Sequence, residues 1–206
     1  YGDGPSTDSG RPSLAVQMKR LRQQMLEQDM RYKPSPDVRR QQVAMWQFST
    51  RVAGHWWERM RSGEDDQSAI SYVTTTVDEV TNTPQLQGWS YDIDGNPVAE
   101  WKTIVTSALL GKEAKIQYRW EGGHEQQHGQ IFGGGGYIVF DDDSLTTARG
   151  YFYDTNFTQI ADGAHTRVKH FGLYRCESTD EETMKMRWSD TATQLIKNRI
   201  ASLRGR

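Results

Sequence analysis

The chain has 206 residues, with 25 Lys and Arg against 27 Asp and Glu, for a formal net charge of −2. That length suits one medium domain, or a domain of roughly 120–150 residues with an extension, and the near-balanced charge gives no sign of a nucleic-acid binder on global electrostatics. One cysteine excludes an internal disulfide framework and a multi-cysteine metal site, and the hydrophobic 35% never gathers into the roughly 20-residue apolar run of a membrane-spanning helix.

The chain opens YGDGPSTDSGRPS, a polar extended tail over residues 1–12 with no signal-peptide pattern and no initiator Met. This is expected of a piece of a longer protein, or of a trimmed precursor such as a soluble organellar protein whose targeting segment is removed; the compartment stays open. Residues 13–51 read as a helical hairpin or arm. In SLAVQMKRLRQQMLEQDMRY, Leu14, Met18, Leu21, Met25 and Tyr32 recur at spacings of four and three, with Gln28 interrupting. Ser13 is placed to cap that helix. KPSP then breaks the chain, and Ser35 caps a second helix with Pro36 at its first position and Asp37 in its first turn. Val38, Val43, Trp46 and Phe48 punctuate its polar remainder, and Lys and Arg outnumber acids along the arm.

From residue 52 β-branched and aromatic residues take over, with turn signals at short intervals. Eight strands are expected near 53–61, 69–79, 85–93, 98–109, 113–121, 134–141, 147–154 and 166–176. DIDGNP places Asp94-Gly95 in a hairpin turn. In AKIQYRW, Ala114, Ile116, Tyr118 and Trp120 share one face. Residues 179–206 end in a helix with Leu195, Ile196, Ile200 and Leu203 on one side. Eight short antiparallel strands must hide their edges, and closure does that. The expected fold is mainly β: an eight-stranded antiparallel up-and-down β-barrel over 52–178, with an N-terminal helical arm and a C-terminal helix.

A Gly-x-Trp on the first strand (Gly54, Trp56), eight strands, Arg175 in GLYRC on the last strand and a C-terminal helix together resemble the lipocalin-like (calycin) barrels. That resemblance implies a structural plug, in which Trp56 crosses the closed end of the barrel under Arg175. Gly54 lets the backbone turn inward, and an arginine on an indole face contributes about 0.5–2 kcal/mol. YRWEG, GGGYIVF, ARGYFYD and FGLYR also resemble the cyclic-dinucleotide-sensing barrels of bacterial anti-phage effectors, which follow two membrane helices, whereas the helices here are polar. The bilin lyases of photosynthetic organisms share a similar Gly-x-Trp barrel.

No stretch carries a complete catalytic pattern. HEQQHG sets His124 and His128 four apart, but Gly122, Gly123 and Gly129 flank it, so a loop is expected rather than a metal site. GGGG at 133–136 lacks the Gly-Lys-Ser/Thr ending of a phosphate loop and reads as a strand start that allows curvature. DDD at 141–143 reads as a solvated turn, His170 as a packed histidine and Cys176 as a small buried thiol. The chain is therefore read as not an enzyme and without a cofactor. Its expected role is binding and assembly, the barrel joined to protein partners through residues 1–50 and the C-terminal helix, with no duplex nucleic acid and no membrane span. Trp57, opposite in parity to Trp56, is expected to meet the arm or a partner. If the barrel is hollow, Trp89, Tyr91, Trp101, Tyr118, Trp120, Tyr151, Tyr153 and Tyr174 are the inward candidates for stacking on a planar ligand, a cyclic nucleotide or a tetrapyrrole; otherwise they fill it.

Overall fold

The computed structural model describes residues 35–61, 69–111, 113–124, 131–141, 143–154 and 168–203. The tail, the expected first helix and the 125–129 part of HEQQHG lie outside these. The chain divides into two compact units, Tyr1–Gln41 and Gln42–Arg206. In the first, the described residues begin helix α1 (Pro36–Val52) as its sequence dictates. The Ser35 hydroxyl accepts from the Val38 N–H at 3.4 Å, Pro36 follows, and Asp37 pairs with Arg40 in the first turn.

The second unit is the barrel. Strands β1 (Gly54–Arg61), β2 (Ile70–Val77), β3 (Pro84–Tyr91), β4 (Pro97–Leu110), β5 (Ala114–His124), β6 (Ile131–Phe140), β7 (Thr147–Asp154) and β8 (Val168–Arg175) pair antiparallel in sequence order, and β1 pairs with β8 to close the sheet. This is the expected up-and-down barrel. Asp94-Gly95 makes the expected turn, with Gly95 at φ +80. Helices α2 (Ser178–Met184) and α3 (Asp190–Ser202) follow where one helix was expected. The break is local: Ser189 accepts from the Ala192 N–H at 3.2 Å and starts a new helix.

Strand alternation sorts the apolar residues into two cores. The inner one holds Trp56, Met60, Val73, Ile116, Ile138 and Phe171 among others. Phe48 and Val52 of α1 join it, so the last turn of that helix belongs to the barrel core rather than to an arm ending at 51. The outer core lies against the wall, where Trp57, Tyr72 and Tyr91 are covered by Met184, Ala192, Ile196, Ile200 and Leu203 of the C-terminal helical segment. The apolar face of that segment thus packs on its own barrel, as does Trp57, whose Nε1–H donates to the buried Asp180 carboxylate at 2.7 Å. Cys176 is buried too, and burial pushes its thiol well up.

The end beneath α1 is closed by the Gly54–Trp56–Arg175 group. Helix C-termini leave carbonyls without intrahelical partners. Here Arg175 donates to the carbonyls of Ala53 (2.6 Å), Arg51 (3.3 Å) and Val52 (3.4 Å), and Trp56 Nε1 donates to Val52 at 3.0 Å. The guanidinium carbon lies 4.8 Å from the Trp56 ring centre. Gly54 has φ +123, which favours glycine, and a Cβ there would sit 2.9 Å from Arg175 Nη2 and push the guanidinium aside. Replacing Arg175 with Met keeps bulk and removes these bonds. The unfolding free energy should fall by about 1–2 kcal/mol, read as a lower urea midpoint; an unchanged midpoint would show that the cap is dispensable.

Candidate functional site

The two halves of the lumen differ. Under α1 the interior is filled: the remaining void is about 10 Å³, bounded by Val52, Trp56, Leu86, Ile116 and Phe140. That is at most the space of one water. A ligand inside the lumen has no room at the α1 end.

Away from α1 the wall pairs aromatic residues with glycines on the neighbouring strand. Register sets Trp101 opposite Gly88 and Tyr118 opposite Gly136. A Cβ at Gly88 would collide with the Trp101 indole, and one at Gly136 with the Tyr118 ring. Each glycine therefore gives its partner ring a seat against the wall. Trp120 meets Phe152 edge to face, centroids 5.9 Å apart, and Phe152 adjoins Phe171. Trp101, Trp120 and Phe152 face inward yet stay partly accessible. Next to Phe152, Lys169 Nζ lies 5.6 Å from that ring and 3.5 Å from the Asp154 carboxylate.

One acid is set into this wall. On β1, Glu58 falls between the inward Trp56 and Met60 and is only 3% exposed. Its strand neighbour Ser71 lies beside Ser90, their hydroxyls 3.0 Å apart. Burial pushes the Glu58 carboxyl up to about 7, against a smaller opposing effect of hydrogen bonding by Ser71. Burial, with Glu58 nearby, also raises the Tyr118 phenol well above its ordinary value. Glu58 Oε2 has no hydrogen-bond partner, and neither has Trp120 Nε1. A buried carboxyl oxygen left unpartnered is costly, and groups so perturbed cluster at functional sites.

Of the eight inward candidates, the structure brings together Trp101, Tyr118 and Trp120. The other five stand on the outer face. Trp89, Tyr91 and Tyr174 pack in the outer core beneath the C-terminal helical segment, with the Arg187 guanidinium 4.4 Å from the Trp89 ring. Tyr151 and Tyr153 are exposed: Tyr151 stacks on Tyr137 at 5.9 Å, and Tyr153 covers Gly135. Parity is the reason. On β3 the inward positions are Leu86, Gly88 and Ser90, and on β7 they are Ala148, Gly150 and Phe152, so neighbouring aromatics point out. Residue type suggested inward, but both faces of this wall carry aromatics.

Sequence reasoning passed over Glu58, Ser71, Ser90, Phe152 and Lys169. The signal for Glu58 was present: in HWWERM, strict alternation from Trp56 to Met60 places an acid inside. Replacing Gly88 with Val drives a branched side chain into the Trp101 indole. The expected cost is about 1–3 kcal/mol, with a shifted indole fluorescence spectrum; wild-type melting and emission would refute the seat.

Among the described residues, no group of three His, Cys, Asp or Glu side chains is placed to hold a metal ion, and no helix is long and apolar enough to cross a membrane. Comparison with protein-family models, curated proteins and solved structures returns no match for the chain.

Proposed function

We propose that this protein is a non-enzymatic receptor for a small planar molecule, held in the half of the lumen away from α1. The observation that carries the reading is Glu58: a buried carboxyl with an unpartnered oxygen beside the Tyr118 phenol, on an inner wall that also carries Trp101 and Trp120. Ligand pockets are mostly apolar, with a few placed polar groups that fix orientation, and this wall has that make-up. Support for a lipocalin-like layout comes from the Gly54–Trp56–Arg175 group at the α1 end. Support for a receptor over a catalyst comes from the acid's titratable neighbour. Tyr118 holds its proton more tightly still, so the two do not form a base with an activated nucleophile. The test is a panel of planar molecules titrated against the labelled protein, following the indole N–H signals of Trp101 and Trp120. Selective movement of those signals is expected, and a panel that leaves both unmoved sinks the reading.

A second reading, assembly with a protein partner, is favoured by α1. Val43 and Trp46 are 54% and 52% exposed although Phe48 and Val52 are buried. Trp46 also lines a groove of about 800 Å³ with Leu110, Phe140 and Leu145. Exposed apolar surface of this kind marks interaction sites. If α1 carries assembly, native purification of the wild-type chain should recover a complex and the Trp46→Glu variant should not; no complex from the wild type, or the same complex from both, counts against it.

A further inference from the structure

We infer that the molecule held in this lumen is a cationic arylalkylamine, whose protonated nitrogen pairs with Glu58 while its ring lies against Trp101, Tyr118 and Trp120. This rests on the receptor reading above and adds the chemical class.

Charge matching at Glu58 favours a cation. Glu58 is the acid set deepest in the wall, 3% exposed, and its Oε2 accepts no hydrogen bond. The groups facing it are the Ser71 hydroxyl from β2 and the Tyr118 phenol from β5. Neither is a cation. The inward cations among the described residues are engaged elsewhere: Lys169 lies 3.5 Å from Asp154 and over Phe152, and Arg175 caps α1 at the opposite end. When Glu58 ionises, the described lumen offers it no counter-ion. An anionic ligand would set a second negative charge beside it in a low-dielectric site. A neutral hydrocarbon would leave the oxygen unpartnered. An ammonium supplies N–H donors and charge together, and aromatic faces attract cations further.

Binding of the cation requires ionised Glu58, so the carboxyl proton leaves to solvent as the ammonium enters. With the carboxyl near 7 in the free protein, the apparent affinity should weaken about tenfold per pH unit below 7 and level off above it.

Three matched probes test this on the full chain: tryptamine (cation), 3-methylindole (neutral) and indole-3-acetate (anion), titrated by calorimetry with the Trp101 and Trp120 indole signals followed in parallel. At pH 8 tryptamine should bind about tenfold or more tighter than 3-methylindole, with indole-3-acetate weakest. The preference should shrink below pH 7 and vanish in Glu58→Gln, a variant that keeps shape and removes charge. If 3-methylindole or indole-3-acetate binds as well as tryptamine, or the preference survives in Glu58→Gln, the class is wrong while the receptor reading stands. If none of the three moves either indole signal, both fall.

Discussion

Glu58→Gln is expected to stabilise the protein above pH 7 by roughly 3 kcal/mol and to leave it almost unchanged at pH 4. The folded carboxyl titrates near 7 against an ordinary 4.5, and each unit is worth about 1.4 kcal/mol. The sign follows from which state holds the proton. Below pH 4.5 the folded and unfolded chains both carry it, and the group costs nothing extra. Between 4.5 and 7 the unfolded chain releases its proton while the folded chain retains it, so stability declines as pH rises. Above 7 the loss is complete. Glutamine has no proton to lose, so that slope disappears. For a chain of this size the gain at pH 8 corresponds to roughly 6–12 °C in Tm. A variant that melts lower than wild type at pH 8, or keeps the decline between 4.5 and 7, would show that the wild-type carboxyl is already well accommodated. The expected exchange of stability against binding is itself informative: a residue whose removal strengthens the fold and abolishes selectivity is kept for what it binds.

Asp180→Ala should cost about 3–5 kcal/mol, the range for removing one partner of a buried ion pair. Asp180 is 2% exposed. Its Oδ2 accepts from Trp57 Nε1 at 2.7 Å and lies 2.8 Å from Arg199 Nε, while its Oδ1 accepts from Arg199 Nη2 at 2.9 Å. One carboxylate thus joins β1, α2 and α3. Alanine leaves the indole N–H buried without an acceptor and strips Arg199 of its closer partner, leaving Glu177 at 3.1 Å. Amide exchange should accelerate across α3 before it does across the strands. Asp180→Asn, which retains an acceptor, should lose less. Equal losses in the two variants would assign the effect to packing rather than charge.

The barrel was legible because its signals are local. Alternation in AKIQYRW, the Asp94-Gly95 turn and the Ser35-Pro36 start each depend on neighbours in sequence, and each forms as read. The site was less legible because its determinants cross strands. That Trp101 has Gly88 beside it, and Tyr118 has Gly136, follows from register alone. Trp89 and Tyr91 were misplaced because the C-terminal segment buries the outside of β3, so hydrophobicity there no longer distinguishes the two faces. Glu58 was overlooked between two tryptophans and a methionine, where parity pointed inward but its charge suggested solvent.

The Arg175 cap has a consequence for biosynthesis. The carbonyls that end α1 are made early and their arginine last, at the end of β8. A nascent chain can form α1 and successive hairpins as it leaves the ribosome, but it cannot close the sheet or cap that helix until residue 175 has emerged. Until then β1 presents an open edge, a template for pairing with other chains. Premature termination anywhere before β8 therefore yields an open sheet with an uncovered interior, a substrate for chaperones and proteases rather than a smaller working barrel.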